Sequence, residues 1–181
     1  TLSRAGRRPV GRGLRPLGID ARVTVIDDAQ YTERMLNFDF DMTAFRRALS
    51  LAINRLAIID ADYNGQSVPS AIAPEPGTPY YEPSLYKSFV DYDPVRANRL
   101  LDGIGLKQRD REGFRAFADG TRMVFYLSLS SDDTGIGPSQ FIVDDWAAVG
   151  VRVLIRNESR ALWSTKAQAL EHDFNAWSGN G

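Results

Sequence analysis

The sequence contains no cysteine, and this absence excludes two kinds of structure at once. Disulfide bonds and thiolate metal sites both require cysteine, so neither can stabilise this chain. Cysteine-free chains fit a cytoplasmic protein and an exported bacterial protein equally well, so the compartment stays open on this count.

Long apolar runs are also missing. No run approaches the roughly 18 residues that a membrane-spanning helix needs, and no charged and then apolar segment opens the chain as a signal peptide would. With 43% hydrophobic residues among 181, the composition is that of a globular protein. A chain of this size buries about 70% of its unfolded surface. We therefore expect a soluble globular chain that carries no signal peptide.

Histidine is almost absent, since His172 is the only one. A metal site with two histidines is therefore excluded, and a Ser-His-Asp triad would depend on this one residue. No serine of the chain lies in a nucleophile-elbow motif. The sequence thus predicts no catalytic residue and no metal site.

Other motifs that carry chemistry are weak. The acidic pairs Asp27–Asp28, Asp132–Asp133 and Asp144–Asp145 suggest paired carboxylates, but adjacent side chains in a helix or strand point apart. Helix caps and solvated surfaces are the better interpretation. The "GRG" and "GIG" glycines lack the strand and helix context of a phosphate-binding loop, so no cofactor is predicted.

The formal net charge is only −1, but the basic residues are unevenly distributed. Five arginines and no acid lie in the first 17 residues: Arg4, Arg7, Arg8, Arg12 and Arg15. Such an arm can bind nucleic acid or a membrane surface, yet it has no aromatic residue to stack on a base. Its glycine and proline content favours a disordered leader over residues 1–16, and no nucleic-acid partner is predicted.

One strand-helix-strand pattern occurs twice. The first copy reads "GIDARVTVID" as a strand, "DAQYTERMLN" as a helix capped by Asp27 or Asp28, and "FDFDM" as a short strand. The second copy reads "GVRVLI", "SRALWSTKAQAL" with Ser159 as its cap, and "HDFNAW". Two copies are too few for a solenoid, so we interpret them as related segments joined in one chain.

Helices are predicted between these copies. Apolar residues at helical spacing predict one long helix over residues 43–65, with Thr43 as its cap and Gly65 near its end. A second helix begins at Asp93 and Pro94, with Leu100 and Leu101 on its buried side. A third is "GPSQFIVDDWAAVG", and its Trp146, like Trp163 further along, is expected to pack in the core.

Loops and turns complete the prediction. Residues 66–92 carry five of the nine prolines, and such a long loop is either mobile or fixed by its tyrosines. The stretch "RDREGFRAFADGTRMVFYLSLS" predicts a hairpin that turns at Asp119 and Gly120.

Three stretches together resemble one family: "FRRALSLAINRLAIID...YNGQSVPS", "YDPVRANRLLDGIGLKQRDREGFRAFADGTRMVFYLS" and "DDWAAVGVRVLIRNESRALWSTKAQALEHDFNAWSGNG". In order and content they resemble the bacterial family 5 extracellular solute-binding proteins, the dipeptide and oligopeptide receptors of ABC importers. The resemblance implies an α/β fold: a partial C-terminal lobe of the type II periplasmic-binding fold over residues 44–181, with a mixed sheet flanked by helices. Residues 17–43 resemble the equivalent segment of another branch, the microcin-and-peptide receptors, which suggests a fusion or a read-through gene fragment.

The resemblance also implies a function. It indicates part of the substrate-binding component of an ABC importer, non-enzymatic, whose partners are a peptide or other small solute and the permease subunits of the inner membrane. The location implied is periplasmic or extracellular. The alternative is a truncated or fused remnant that acts as an interaction module or binds no ligand. Because such receptors close two lobes around a ligand, one lobe alone is expected to bind poorly.

Candidate ligand-binding residues follow from the resemblance. Peptide receptors of the family hold the ligand's ammonium with an aspartate in a tryptophan-x-glycine-aspartate pattern. The matching stretch here is "WSGNG", so the aspartate position is Asn180, and an amide accepts a hydrogen bond without neutralising the ammonium. Trp177, Ser178 and Asn180 are the predicted ligand-binding residues, with Tyr80 and Tyr81 as further candidates in the proline-rich loop.

Overall fold

The computed structural model describes residues 41–71, 73–74, 76–132 and 135–176. These form five helices and a three-stranded sheet, which confirms the α/β class. The predicted leader over residues 1–16 and the first strand-helix-strand copy up to residue 40 lie outside the described residues.

The first described helix, α1 (Met42–Ala52), begins one residue before the predicted start. Asp41 is its N-cap, and the Asp41 carboxylate accepts hydrogen bonds from the backbone N–H groups of Thr43 at 2.8 Å and Ala44 at 3.2 Å. The prediction of Thr43 as the cap is therefore wrong, and Met42 is helical although it was assigned to the strand "FDFDM". A carboxylate two residues earlier reaches the free N–H groups of the first turn better than the threonine does.

The predicted long helix is wrong in one respect, because it is broken at Ile53 and Asn54. A second helix, α2 (Arg55–Tyr63), starts after the break, and the Asn54 side chain accepts from the Ala57 N–H at 3.2 Å. The Asn54 N–H is itself bonded at 2.7 Å to Asp145, which replaces the carbonyl that a continuous helix would offer. The predicted end near Gly65 is confirmed, since Asn64 ends α2 in a left-handed conformation with φ 49°.

Helix α3 (Pro94–Gly103) agrees with its local sequence signals. Asp93 accepts from the Arg96 N–H at 2.8 Å, and Pro94 occupies the first turn, where its missing N–H costs nothing. Leu101 is fully buried and Leu100 half-buried. A 3₁₀ helix, Pro83–Lys87, precedes α3 in the proline-rich loop.

The predicted hairpin is present only as a turn with isolated bridges. The Phe117 N–H donates to Thr121 at 2.9 Å around the Asp119–Gly120 turn, and antiparallel bridges join Arg109 to Arg115 and Ala116 to Arg122. The strand that follows, β1 (Val124–Ser130), pairs elsewhere.

The sheet has the order β2-β1-β3, and both described pairings are parallel. Strand β2 (Arg152–Glu158) pairs with all of β1, and the short β3 (Phe174–Asn175) pairs with Leu127 and Ser128. Helix α4 (Ile136–Ala148) connects β1 to β2, and α5 (Arg160–Gln168) connects β2 to β3. The resemblance implied a mixed sheet; among the described residues, antiparallel pairing is limited to the isolated bridges.

An aromatic cluster joins the helices to one face of the sheet. Ring centroids are 5.5 Å apart between Phe45 and Phe125, 5.4 Å between Phe125 and Phe174, and 5.0 Å between Phe174 and Trp146. The Trp146 indole N–H donates to the Leu49 carbonyl at 3.0 Å, which satisfies its one polar atom inside the core. The predicted packing of Trp146 is confirmed. No helix of the described part has the length and hydropathy required to cross a membrane.

Candidate ligand-binding edge of the sheet

The carboxyl ends of the three strands meet at one edge of the sheet, because all of them run in the same direction. Ser130 and Glu158, the last residues of β1 and β2, are direct partners in the register. In open α/β sheets, ligands bind in the crevice outside this edge. We call it the carboxyl edge.

A charged cluster links Asp132, two residues after β1, to Arg160 at the start of α5. The hydroxyl of Ser130, which is fully buried, donates to Asp132, and the Arg160 guanidinium donates to the same carboxylate at 3.2 Å. The hydrogen bond from Ser130 has the largest effect and lowers the pKa of Asp132. The hydrogen bond from Arg160 lowers this pKa further. Asp132 is therefore an anion whose charge is already compensated, and it is unsuited to act as a proton donor.

A second ion pair lies at the end of β2. Lys166 of α5 donates to one oxygen of Glu158, whose side chain is only 9% exposed. The other oxygen, Oε2, is buried and has no hydrogen-bond partner in the part of the chain that the structure describes. Because this oxygen is buried, a ligand in solution at the carboxyl edge does not reach it in this conformation.

Trp163 attaches α5 to the central strand. Its indole N–H donates to the Ser128 carbonyl at 3.3 Å, and the side chain is half-buried. We expected Trp163 in the core; it is instead only half-buried, on a helix that contacts the central strand through this hydrogen bond. The predicted cap of this helix is confirmed, since Ser159 accepts from the Leu162 N–H at 3.5 Å.

Strand β3 leads from the core to the strongest predicted site residues. The Ala176 N–H donates to Ser128 at 3.3 Å, so parallel bonding continues to the last described residue. Trp177, Ser178 and Asn180 follow immediately in sequence and lie outside the described residues. Their assignment to the ligand site stays a prediction.

Tyr80 and Tyr81 lie in the proline-rich loop and are 59% and 40% exposed. The Tyr81 ring packs against Tyr86 at 6.0 Å, and the Tyr86 hydroxyl donates to the Pro74 carbonyl at 2.8 Å. These contacts agree with a loop fixed by its tyrosines. None of the contacts described for Tyr80 or Tyr81 joins them to the carboxyl edge.

Residues considered for catalysis are dispersed. Asp144 accepts from Gln140 at 2.9 Å, whereas Asp145 accepts from the Asn54 N–H, so the two carboxylates of this pair point apart as predicted. His172 is half-buried, and its buried Nδ1 has no partner among the described residues. The described residues contain no group of three acidic or histidine side chains that could hold a metal ion.

The cluster of Ser130, Asp132 and Arg160 was not predicted from the sequence. The available signal was weak. Asp132 lies two residues after the buried strand β1, and Arg160 lies in the first turn of α5, the helix that follows β2. Only the pairing of β1 with β2 indicates that these positions meet.

Comparison with known proteins gives a consistent result. The family model for bacterial extracellular solute-binding proteins, family 5 Middle, matches residues 43–181. Di/tripeptide-binding protein 1 of Pseudomonas aeruginosa (strain UCBPP-PA14) is 26% identical over 146 residues, which make up 78% of this chain and 25% of that protein.

Solved structures agree with this match. The oligopeptide-binding protein OppA aligns with a TM-score of 0.61 at 37% identity, over 75% of this chain and 21% of OppA. The periplasmic oligopeptide-binding protein of an ABC transporter from Thermotoga maritima aligns with a TM-score of 0.60 at 27% identity, over 69% of this chain and 24% of that protein. The chain thus spans about a quarter of the length of the curated relatives it matches.

Proposed function

Because the chain belongs to the bacterial extracellular solute-binding proteins of family 5, we propose that it is part of the substrate-binding component of an ABC importer for peptides or related solutes. It acts by binding and not by catalysis, in a periplasmic or extracellular location, and delivers its ligand to permease subunits. The relatives named for di- and tripeptides and for oligopeptides support a peptide as the ligand class.

The observation that carries the proposal is the direction of the sheet. Three parallel strands end at one edge, and the chain continues from β3 directly into the "WSGNG" stretch. Trp177, Ser178 and Asn180 would then contact the ligand at the place where parallel sheets bind ligands. Tyr80 and Tyr81 remain secondary candidates from a loop whose described contacts are elsewhere.

Binding by this chain alone is expected to be weak. Ligand pockets that bind tightly bury most of the ligand surface, and a chain that spans a quarter of its relatives supplies only part of such an enclosure. A dissociation constant on the order of 1 mM is what a small ligand with a few imperfect contacts reaches.

Titration of the isotope-labelled chain with trialanine, followed by nuclear magnetic resonance, tests the proposal. We expect shifts in the amides that follow the strand ends, Ser131, Ser159 and Ala176, and their loss in Trp177→Ala. Tyr92→Ala is the matched control, because Tyr92 is an exposed aromatic residue near α3. A dissociation constant below about 1 µM would contradict a partial site.

The alternative function is a remnant that serves as an interaction module or binds no ligand. One observation favours it: Asn180 stands at the position where the family's peptide receptors carry an aspartate. The same titration separates the two, because a remnant gives no shift at the strand ends with peptides of any length.

A further inference from the structure

A groove of about 220 Å³ lies between α2 and the segment that follows it, and it shares no residue with the carboxyl edge. Arg55, Ile58 and Tyr63 of α2 form one wall, and residues 67–70 form the other. The groove is open to solvent. Drug-sized ligands occupy roughly 300 to 1,000 Å³, so its occupant is smaller.

Arg55 is the charged group of this groove, and the side-chain hydrogen bonds that it makes to other described residues all go to neutral oxygens. Its guanidinium donates to the Ser50 carbonyl at 2.8 Å, to the Ser50 hydroxyl at 2.9 Å and to the Val90 carbonyl at 3.3 Å. A guanidinium carries five N–H donors, so two of them have no partner among the described residues.

No carboxylate compensates this charge within the described part of the chain. The ion pairs found there involve other arginines and Lys166. The acids of α2 are not among the residues that line the groove: Asp62 lies beside Gly137 at the start of α4, and Asp60 lies beside Gly65. Arg55 is half-buried, and burial lowers its pKa, as expected for a cation that loses water without gaining an anion.

We propose that this groove binds a carboxylate attached to a small apolar group. The remaining N–H donors of Arg55 would hold the carboxylate, since the planar guanidinium matches two carboxylate oxygens. Ile58, Tyr63 and Val68 supply an apolar wall for the attached group, and the hydroxyls of Ser67 and Ser70 supply further polar contacts. A free carboxylic acid and the carboxyl terminus of a short peptide share this chemistry.

Titration with N-acetyl-leucine, followed by nuclear magnetic resonance of the labelled full chain, tests the proposal directly. We expect saturable shifts of the amides of Ile58, Tyr63 and Val68, with a dissociation constant on the order of 1 mM. N-acetyl-leucinamide has the same shape without the charge and should bind at least about tenfold more weakly. Equal binding of acid and amide would overturn the proposal.

Two variants change the groove in different ways. Arg55→Gln removes the cation and should weaken N-acetyl-leucine binding about tenfold or more. Val68→Glu keeps Arg55 and all its bonds, and places a competing carboxylate at a residue that is 75% exposed, so folding is preserved while binding is lost. Leu56→Glu is the matched control: it adds the same charge on α2 at a 61% exposed residue outside the groove, and binding should stay within twofold. Unchanged affinity in Val68→Glu would refute the site.

Peptides then identify the source of the carboxylate and separate this site from the carboxyl edge. If a peptide terminus is the ligand, Ala-Ala-Leu binds the groove and its C-terminal amide does not; if a free acid is the ligand, only N-acetyl-leucine binds there. In Trp177→Ala, the groove shifts should persist even when every shift at the strand ends is lost. Loss of the N-acetyl-leucine shifts in Trp177→Ala, with Val68→Glu unaffected, would assign binding to the carboxyl edge and end the proposal.

Discussion

Arg115 connects three separate segments through one side chain that is only 1% exposed. Its guanidinium donates to the Val149 carbonyl at 2.8 Å, to Asp102 at 2.6 Å and to Asn98 at 2.6 Å, and also to the Leu106 carbonyl. Burial lowers its pKa, and the bond to Asp102 opposes this shift. A buried cation with this many acceptors fixes α3 against the end of α4.

Replacing Arg115 should therefore destabilise the fold strongly. We expect Arg115→Met to lower the free energy of unfolding by about 3 kcal/mol, because buried carbonyl oxygens lose their donor while Asp102 loses its partner. Urea denaturation followed by circular dichroism measures the change. Arg111→Met, at an exposed arginine of the same loop, should change it by less than about 0.5 kcal/mol. Equal effects of both variants would contradict the structural role of Arg115.

Asp145 provides a test of pH dependence. Burial has the largest effect and raises the pKa of Asp145 above the ordinary 3.8. The hydrogen bond from the Asn54 N–H opposes this rise, and the negative charge of Asp144 adds to it. The folded state thus holds this proton more tightly than the unfolded state does. At a pH above the pKa of Asp145 in the folded state, the charged carboxylate lowers the free energy of unfolding. This loss of stability disappears as the pH falls below 3.8, because the carboxyl group is then protonated in both states.

Asp145→Asn should consequently be slightly more stable than the parent chain at pH 7, by less than about 1 kcal/mol because the group is only partly buried. An amide oxygen still accepts the Asn54 N–H. The advantage should vanish near pH 3, as measured by urea denaturation at both pH values. Asp91→Asn, at an exposed acid, should show no such pH-dependent gain. A variant that is less stable at pH 7 would show that the charge on Asp145 stabilises the break between α1 and α2.

At the level of elements, local signals predicted some boundaries and failed at others. The start of α3 is specified by two adjacent residues, Asp93 as the cap and Pro94 as the first helical residue, and the structure agrees. At the break between α1 and α2, Asn54 is a local capping residue, but its N–H is bonded to Asp145, which is 91 residues away and which no local pattern reveals. Likewise, the parallel partners of β1 lie further along the chain, whereas the sequence around Asp119 favoured a local hairpin. Long-range contacts take part in both cases.

The cap of α3 can be tested with a neighbouring control. Asp93→Ala removes the acceptor for the Arg96 N–H and should lower the free energy of unfolding by about 1 kcal/mol. Asp91→Ala removes an exposed carboxylate two residues earlier and should have an effect below about 0.5 kcal/mol. Both are measured by thermal and urea denaturation. A cost at Asp91 equal to that at Asp93 would mean that net charge, and not capping, is responsible.

At the scale of the whole molecule, the candidate site was predicted through its motif and not through its geometry. The resemblance identified the "WSGNG" stretch, and the structure supplies the parallel strands that lead to it. The ion pair between Asp132 and Arg160 links residues 28 positions apart, and the groove at Arg55 depends on how α2 meets the segment after it. Such arrangements follow from tertiary packing, which a linear pattern does not contain.

Asn180 gives the sharpest test of ligand chemistry at this scale. If trialanine binds with its ammonium beside residue 180, Asn180→Asp should strengthen binding about tenfold, because a carboxylate forms a charge-assisted hydrogen bond where an amide forms a neutral one. N-acetyl-trialanine carries no ammonium and should bind the parent chain and the variant equally, which separates this effect from a general change in the protein. Calorimetric or magnetic-resonance titration at pH 7 measures both ligands. Equal gains for both peptides would place the ammonium elsewhere, and no gain for either would favour a remnant whose peptide site is lost.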